Sequence, residues 1–400
     1  MIRATRTQWI KFAVVLALYL IFLVWLRSWL GLVVVPFIFD AYITKKIPWT
    51  WWRESKNRHV VTVMGWVDAI VFALVAVYFV NLYFFQNYVI PSSSLEKSLL
   101  TGDYLFVSKM SYGPRVPQTP LHMPLAQHTL PFFNCKSYLE HPQWDYKRVK
   151  GLGDVQLNDI VVFNFPAGDT VATGVPNDDI YRLSYGAGKE LAKPVDLASM
   201  TPEQQRVVYD YYYQLGREYL KENPQNFGEI ISRPVDRREN YVKRCVGLPG
   251  QTLEIKDRII YLDGKANKEP DNVQYRYLVK TKRPIPDDLA HELGISKEDM
   301  MMYYTDASVY NMPLTEKAKA GLLARKDIVV SIENTPADDA GGLYPLNMYK
   351  NWTTDNYGPV WIPKKGETVK LTIENLPVYE RPIHVYEGNE LAGEDGKIFF

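Results

Sequence analysis

The chain has 400 residues, enough for two or three domains, and its formal net charge is +1. A balance so close to neutral creates no broad electrostatic field, so nucleic acid is not an expected partner. The two cysteines, Cys135 and Cys245, exclude a disulfide scaffold and a four-cysteine metal site, and the pattern leaves open whether they pair. The six histidines show no metal-binding spacing, so no metal or other cofactor is expected.

Two long apolar segments, about 12–39 and 60–85, come first, and each is long enough to cross a bilayer. A helix over 12–39 would be roughly 40 Å long, so it either tilts and lets Arg27 snorkel or breaks near Gly31. A cleavable signal peptide is not indicated, because the run is too long and no small-residue cleavage site follows it. The second segment contains Asp68, either a functional carboxylate inside the membrane or an interfacial residue near the segment's start.

The loop between these segments, residues 40–59, predicts their orientation. It contains five basic residues, Lys45, Lys46, Arg53, Lys56 and Arg58, which favour a cytoplasmic location. The N-terminal tail is also basic, so the excess of positive charge in the loop over that in the tail is not large. With the loop inside, everything from residue 86 onward would be extracytoplasmic. The expected protein is therefore a multi-pass protein of the cytoplasmic (inner) membrane, with a 1–85 anchor in the lipid bilayer and its main domain on the periplasmic side.

The remainder, 86–400, has the pattern of a mainly β domain. Strand-like stretches occur at 103–109, 158–163, 240–246, 252–255, 259–262, 369–373, 382–386 and 397–400. Two long interruptions, about 166–238 and 267–366, are predicted to be α-containing insertions. In the first, Thr201 and Gln204 form a capping-box pair that predicts the start of a helix. In the second, short helices are expected at 296–303 and 315–326.

A serine cluster follows the second apolar segment directly: Ser92, Ser93 and Ser94. It could simply be a polar turn leaving the membrane. A hydroxyl becomes a good nucleophile only when a base takes its proton, and no histidine lies near this cluster. Lys243 is a candidate base, because on a buried face of its predicted strand the lysine would lose hydration and its pKa would fall. The alternative is that Lys243 and Arg244 form an ordinary surface pair.

Three stretches together resemble the bacterial type I signal peptidases (leader peptidases). The family's PSxSM nucleophile stretch and following Gly-Asp are matched by 91–95 and by Gly102-Asp103. Its YxKRxxGLPG base stretch is matched by 241–250, and its intervening GD-like strand by 158–163, where Asn158 replaces the usual glycine. Two apolar segments ahead of the first motif also fit this family.

The resemblance implies a membrane-bound serine endopeptidase that removes signal peptides from exported preproteins. Ser94 would be the nucleophile and Lys243 the general base, and Ser92 with the Ser94 backbone N–H would form the oxyanion hole. The substrate pocket would be lined by Ile90, Leu95, Tyr241 and Val242. Small substrate residues would be preferred at positions −1 and −3 before the cut.

Two departures from the family pattern matter. Leu95 replaces the usual methionine, a change of similar volume that should be tolerated. The family's later GDNR…SxDSR stretch does not occur before Phe400, so a chain continuing beyond this residue is expected. The alternative function is a non-catalytic, membrane-tethered β-domain that acts as a scaffold in the export machinery.

Overall fold

The structure is a computed structural model. It describes residues 4–133, 135–165, 170–176, 178–301, 304–306, 309–337, 343–346, 352–387, 389–390, 392–394 and 397–399.

The first apolar segment is a helix followed by a chain reversal. Helix α1 spans Arg6–Leu26 and ends at Arg27, whose φ of 51° places it in the left-handed region. Residues 30–44, here called the returning segment and including α2 (Val35–Phe39), then run back along α1. The rings of Phe12 and Phe39 lie 5.4 Å apart. Of the two expected alternatives for 12–39, the unbroken tilted helix is therefore wrong, because the chain reverses immediately after Leu26.

Gly31 allows the returning segment to approach α1 closely. A Cβ on Gly31 would lie 2.2 Å from Cδ2 of Leu23. The Tyr19 hydroxyl donates a hydrogen bond of 2.7 Å to the Gly31 carbonyl. The glycine thus marks a packing contact, and the break expected near it occurs four residues earlier, at Arg27.

The second apolar segment is helix α3, Arg58–Tyr83, close to the predicted 60–85. By length and composition, α1 and α3 are both able to cross a membrane. Asp68 on α3 lies 3.7 Å from Arg53 in the preceding loop, and Trp52 packs against Gly65. This pairing with a loop residue favours the interfacial interpretation of Asp68.

The serine cluster lies between two paired strands that begin where α3 ends. Strand β1 (Phe85–Val89) pairs antiparallel with β2 (Tyr104–Ser108). Gly102 closes the intervening loop with a φ of 92°, which glycine adopts readily, and Asp103 accepts a hydrogen bond of 2.8 Å from the Leu100 N–H. The Gly-Asp motif therefore builds the turn that holds the cluster.

The segment predicted as the first insertion lies between two neighbouring strands, β3 (Ile160–Asn164) and β6 (Asn240–Arg244), which pair antiparallel. It contains β4 (Thr170–Ala172), α4 (Ile180–Leu191), α5 (Pro202–Glu222), α6 (Pro224–Phe227) and β5 (Ile230–Ser232). The predicted capping box of α5 is present. Helix α4, which was not predicted, packs closely on α5: a Cβ on Gly188 would lie 1.7 Å from the Tyr212 carbonyl oxygen.

The segment predicted as the second insertion forms an α/β unit with its own core, and it is called the second insertion below. The sheet that precedes it contains β7 (Thr252–Lys256), β8 (Ile259–Leu262) and β9 (Lys265–Ala266). The unit itself contains β10 (Gln274–Thr281), α7 (Asp287–Glu292), α8 (Lys297–Met301), β11 (Tyr304–Asp306), β12 (Val309–Thr315), α9 (Glu316–Ala324) and β13 (Val329–Asn334). Val279, Met312, Leu322 and Ile328 are fully buried in its core.

Strand β14 (Tyr357–Trp361) returns the chain to the first sheet by pairing with β7, so this sheet resumes before residue 366. The predicted strands at 369–373 and 382–386 are wrong. Helix α10 (Leu376–Arg381), with Pro377 in its first turn, is followed by a π-helical turn over Pro382–Tyr386. Strands β15 (Ala392–Glu394) and β16 (Lys397–Phe399) pair antiparallel at the end of the described chain.

Candidate active site

Two side chains that are 149 positions apart in the sequence meet at the surface of the β-domain. The Nζ of Lys243 donates a hydrogen bond of 2.7 Å to the Oγ of Ser94. Ser94 lies in the 3₁₀ turn Ser93–Leu95 inside the β1–β2 loop, and Lys243 lies on β6. This distance is within the range needed for proton transfer between a nucleophile and its base.

The electrostatic setting of Lys243 differs in detail from the prediction. Its side chain is exposed, so it does not lie on a buried face of β6. Partial burial nevertheless lowers the pKa of Lys243 below its usual value, as predicted, because desolvation disfavours the ammonium form. An amine with a lowered pKa is neutral more often near neutral pH, which suits it to accept a proton.

Arg244, the residue after Lys243 on β6, links the elements that carry Ser94 and Lys243. It donates hydrogen bonds to the Asn158 carbonyl (2.8 Å) and to the Oγ of Ser98 (3.0 Å). Ser98 follows the serine cluster, whereas Asn158 precedes β3. Arg244 therefore ties the serine loop to the β3–β6 pair, and this contact was not predicted from the sequence.

Asn158 stands where the related motif has glycine, and its backbone explains the substitution. Its φ is 70°, in the left-handed region, where asparagine is tolerated better than most residues. The following residue, Asp159, accepts a hydrogen bond of 2.6 Å from the Tyr112 hydroxyl. The Asn-Asp pair thus preserves the turn that leads into β3.

Ser92 lies beside the nucleophile candidate, with its Oγ 3.5 Å from the Oγ of Ser94. Its backbone is extended, and the chain tightens into the 3₁₀ turn only at Ser93. A hydroxyl at this distance can donate to an oxygen that forms next to Ser94 Oγ. The predicted oxyanion group is therefore close enough to take part.

An open cleft of about 400 Å³ adjoins Ser94. Of the four predicted pocket residues, Leu95 lines this cleft, whereas Ile90, Tyr241 and Val242 do not. Ile90 is buried, with 3% of its surface exposed, and the Tyr241 ring stacks on Phe165 at 4.6 Å. Val242 lies opposite Val162 in the β3–β6 pair.

The far wall of the cleft comes from the second insertion, which sequence reasoning treated only as an interruption. Asn272, Val273, Gln274 and Arg276 line this wall. Arg258 fixes the insertion to the first sheet: it donates to the Asp355 carboxylate (2.9 Å) and to the Thr335 carbonyl (3.0 Å). No local pattern in the sequence signals this wall, because it depends on how the two units pack.

The sequence leaves open whether the two cysteines form a disulfide, and the structure shows that they do not. Cys135 and Cys245 are both free, and Cys135 is exposed.

Comparisons with known proteins agree with the geometry. The family described as signal peptidase, peptidase S26, matches residues 63–303, more than half of the chain. Signal peptidase I P of Bacillus subtilis subsp. natto is 20% identical over 279 residues, which are 69% of this chain and 90% of the relative. Signal peptidase I of Helicobacter pylori is 42% identical over 56 residues, 14% of this chain and 18% of the relative. Signal peptidase I of Rickettsia prowazekii is 24% identical over 165 residues, 38% of this chain and 56% of the relative.

The chain thus spans less than two thirds of the length of the Helicobacter and Rickettsia relatives and most of the Bacillus one. No solved structure matches the chain. The family match covers all three predicted motif stretches, and Ser94 and Lys243 lie inside it. The resemblance inferred from the sequence is confirmed: the chain belongs to the signal peptidase family, peptidase S26, a family of serine endopeptidases.

Proposed function

We propose that this chain is a membrane-bound signal peptidase I that cleaves signal peptides from exported preproteins with a Ser94–Lys243 dyad. The observation that carries the proposal is the 2.7 Å hydrogen bond between Lys243 Nζ and Ser94 Oγ, and Ser94 lies 11 residues beyond Tyr83, where the apolar helix α3 ends. A scaffold would have no need for a lysine with a lowered pKa at that position.

In this mechanism neutral Lys243 takes the proton of the Ser94 hydroxyl while Oγ attacks the scissile carbonyl carbon. The carbonyl oxygen becomes an oxyanion, which Ser92 Oγ and the Ser94 N–H stabilise by hydrogen bonds. When the C–N bond breaks, the lysine ammonium gives its proton to the leaving amine. Water, deprotonated by the same lysine, then hydrolyses the acyl-serine ester and restores the hydroxyl.

The strand arrangement supports binding of an extended substrate. Among the described residues, β1 pairs with β2 and β6 pairs with β3, each in a two-stranded sheet. One edge of each strand is therefore free of sheet partners, and an extended peptide can add to such an edge. Alternate side chains of that peptide would face the protein, which would produce the preference for small residues at −1 and −3.

Cleavage by the purified chain tests the proposed function. The chain is reconstituted into lipid vesicles and mixed with a preprotein that has alanine at −1 and −3, and both products are identified by mass. We expect a single cut directly after the −1 alanine. A folded chain that binds this preprotein without cutting it would support the scaffold alternative.

We further propose that the basic loop faces the cytoplasm and the β-domain the opposite side. The Phe12–Phe39 contact supports this topology, because it places the N-terminal tail and the 45–57 loop at the same end of α1. The basic residues of the tail then add to those of the loop instead of opposing them.

Thiol labelling in spheroplasts checks this topology with an impermeant maleimide. Native Cys135 is exposed on the β-domain and should react in a chain that carries Cys245→Ser. With Cys135→Ser as well, a cysteine introduced by Thr50→Cys should react only after the membrane is permeabilised. Labelling of Thr50→Cys in intact spheroplasts, without labelling of Cys135, would show that the topology is the reverse of the proposed one.

The cleavage rate should rise with pH, because only the neutral amine of Lys243 can accept the serine proton. Partial desolvation lowers the pKa of Lys243, so this rise should occur below the roughly 10.4 of an ordinary lysine. A second lysine offers a control, since burial lowers the pKa of Lys109 to about 8. The pH profile of kcat/KM should persist in Lys109→Arg. Loss of its rising limb in that variant would exclude Lys243 as the titrating base.

A further inference from the structure

A groove of about 660 Å³ lies between the outer end of α3 and the loop 122–127, away from the cleft beside Ser94. Ala76, Val77 and Val80 of α3 form one side, and Met123 and Leu125 form the other. The loop is fixed against the helix, since the Tyr78 hydroxyl donates 3.2 Å to the Pro120 carbonyl and the Tyr78 ring lies 5.0 Å from that of His122. The groove therefore has an apolar helix face and polar side chains, among them Asn81 and Asn240, and it lies beside a helix suited to cross a membrane.

The groove continues into the strand that leads to the nucleophile. Gln86, Asn87 and Tyr88 of β1 line its outer end, and the serine cluster follows β1 directly. The five residues of β1 span roughly 16 Å at the usual strand rise. An extended peptide of five or six residues placed alongside β1 would connect Ser94 to the groove. A signal peptide has this layout, because a short stretch separates its apolar segment from the cut.

A buried arginine lies where the groove meets β1. Arg237 lines the groove and is only 6% exposed. Its Nε is buried without a hydrogen-bond partner among the described residues. Its other nitrogens lie 3.5 Å from the Gln127 carbonyl and 3.6 Å from the Asp236 carboxylate, both long contacts. A buried donor without a partner costs free energy, and a ligand with free acceptors would remove that cost.

The C-terminal end of a helix supplies such acceptors. Its last four carbonyls have no partner within the helix, and its macrodipole favours a cation at that end. An apolar helix in the groove, followed by an extended stretch along β1, would place these carbonyls at Arg237. We propose that the groove binds the apolar helical segment of the signal peptide and that Arg237 caps its C-terminal carbonyls. This inference rests on the proposed function.

Site-directed cross-linking tests the groove without requiring catalysis. The chain carries Ser94→Ala, Cys135→Ser and Cys245→Ser, and the preprotein has one cysteine in its apolar segment. Val80→Cys places a thiol in the groove, whereas Phe79→Cys places one on the neighbouring residue, which is 44% exposed and does not line the groove. Oxidation should give several-fold more disulfide-linked product with Val80→Cys. Equal yields at both positions, or no product with Val80→Cys, would overturn the proposal and leave lipid as the occupant.

Kinetics tests the role of Arg237 separately. Arg237→Met should raise the KM for a preprotein several-fold with kcat nearly unchanged, because the cap acts equally on the bound substrate and on the transition state. An unchanged KM in a folded variant would contradict the cap. If Arg237→Met fails to fold, Arg237→Lys, which keeps the charge but loses the Nε donor, replaces it in the same assay. A parent chain with native Ser94 that cannot cleave the same preprotein would instead contradict the proposed function.

Discussion

Lys243→Arg is expected to reduce cleavage of a preprotein to the level of a chain that lacks its nucleophile. Arginine retains a positive charge at every accessible pH, so it cannot take the proton of Ser94. Ser94→Ala removes the attacking oxygen and should give an equal loss, about 10⁴–10⁶-fold in kcat, as for the members of other serine-hydrolase catalytic units. The measurement is single-turnover cleavage, with the preprotein and its products quantified over time.

The matched control is Lys265→Arg, which changes an exposed lysine on β9 in the same manner. This variant should cleave at the parent rate. The double variant Ser94→Ala with Lys243→Arg should lose no more activity than either single variant, because the two residues act as one unit. Losses that multiply in the double variant would mean that Ser94 and Lys243 act independently, contrary to the dyad.

Ser92→Ala is expected to lower kcat by about 10²–10³-fold, the usual effect of removing one oxyanion donor. The Oγ of Ser92 lies 3.5 Å from the Oγ of Ser94, so a carbonyl oxygen attacked by Ser94 would form within its reach. The KM should change little, because the oxyanion exists only in the transition state and the tetrahedral intermediate.

Ser92→Thr separates this role from a structural one, since threonine restores the hydroxyl. We expect it to recover a substantial part of the rate lost in Ser92→Ala. A Ser92→Ala variant with parent kcat, or a loss expressed entirely in KM, would remove Ser92 from the oxyanion hole.

The parts of the site that depend on local backbone geometry could be predicted from the sequence. Gly102 and Asp103, which the motif match places ahead of a strand, directly precede β2, and Asn158 adopts a left-handed conformation at the position where the motif has glycine. The capping box of α5 likewise marks its start at Thr201. Each of these signals involves a few neighbouring residues, so it does not depend on distant packing.

The parts that depend on packing could not be predicted. The length of the apolar run 12–39 indicates a tilted helix or a break near Gly31, but no local pattern indicates that the chain reverses at Arg27 and that the returning segment packs on α1. Helix α4 contains glycines that disfavour a helix in isolation, yet Gly188 is required where α4 meets α5. Strand β14 contains Gly358 and Pro359, which hide its strand character, and its pairing with β7 shows it.

The second insertion forms one wall of the cleft beside Ser94. Gln274 and Arg276 of this insertion line the same cleft as the serine loop, and Arg258 donates a hydrogen bond of 3.3 Å to the Arg276 carbonyl. One wall of the cleft beside Ser94 is therefore supplied by residues outside the three core motifs.

Chemical rescue of Lys243 tests the dyad most directly. In a chain with Cys135→Ser and Cys245→Ser, the added change Lys243→Cys should abolish cleavage, since a thiol at this position is too short to reach Ser94 Oγ. Treatment with 2-bromoethylamine converts the new cysteine into a lysine analogue with an amine at nearly the same distance. The account predicts that cleavage after the −1 alanine returns on treatment, and that it does not return when Ser94→Ala is also present. Cleavage by untreated Lys243→Cys at the parent rate would contradict the assignment of Lys243 as the base.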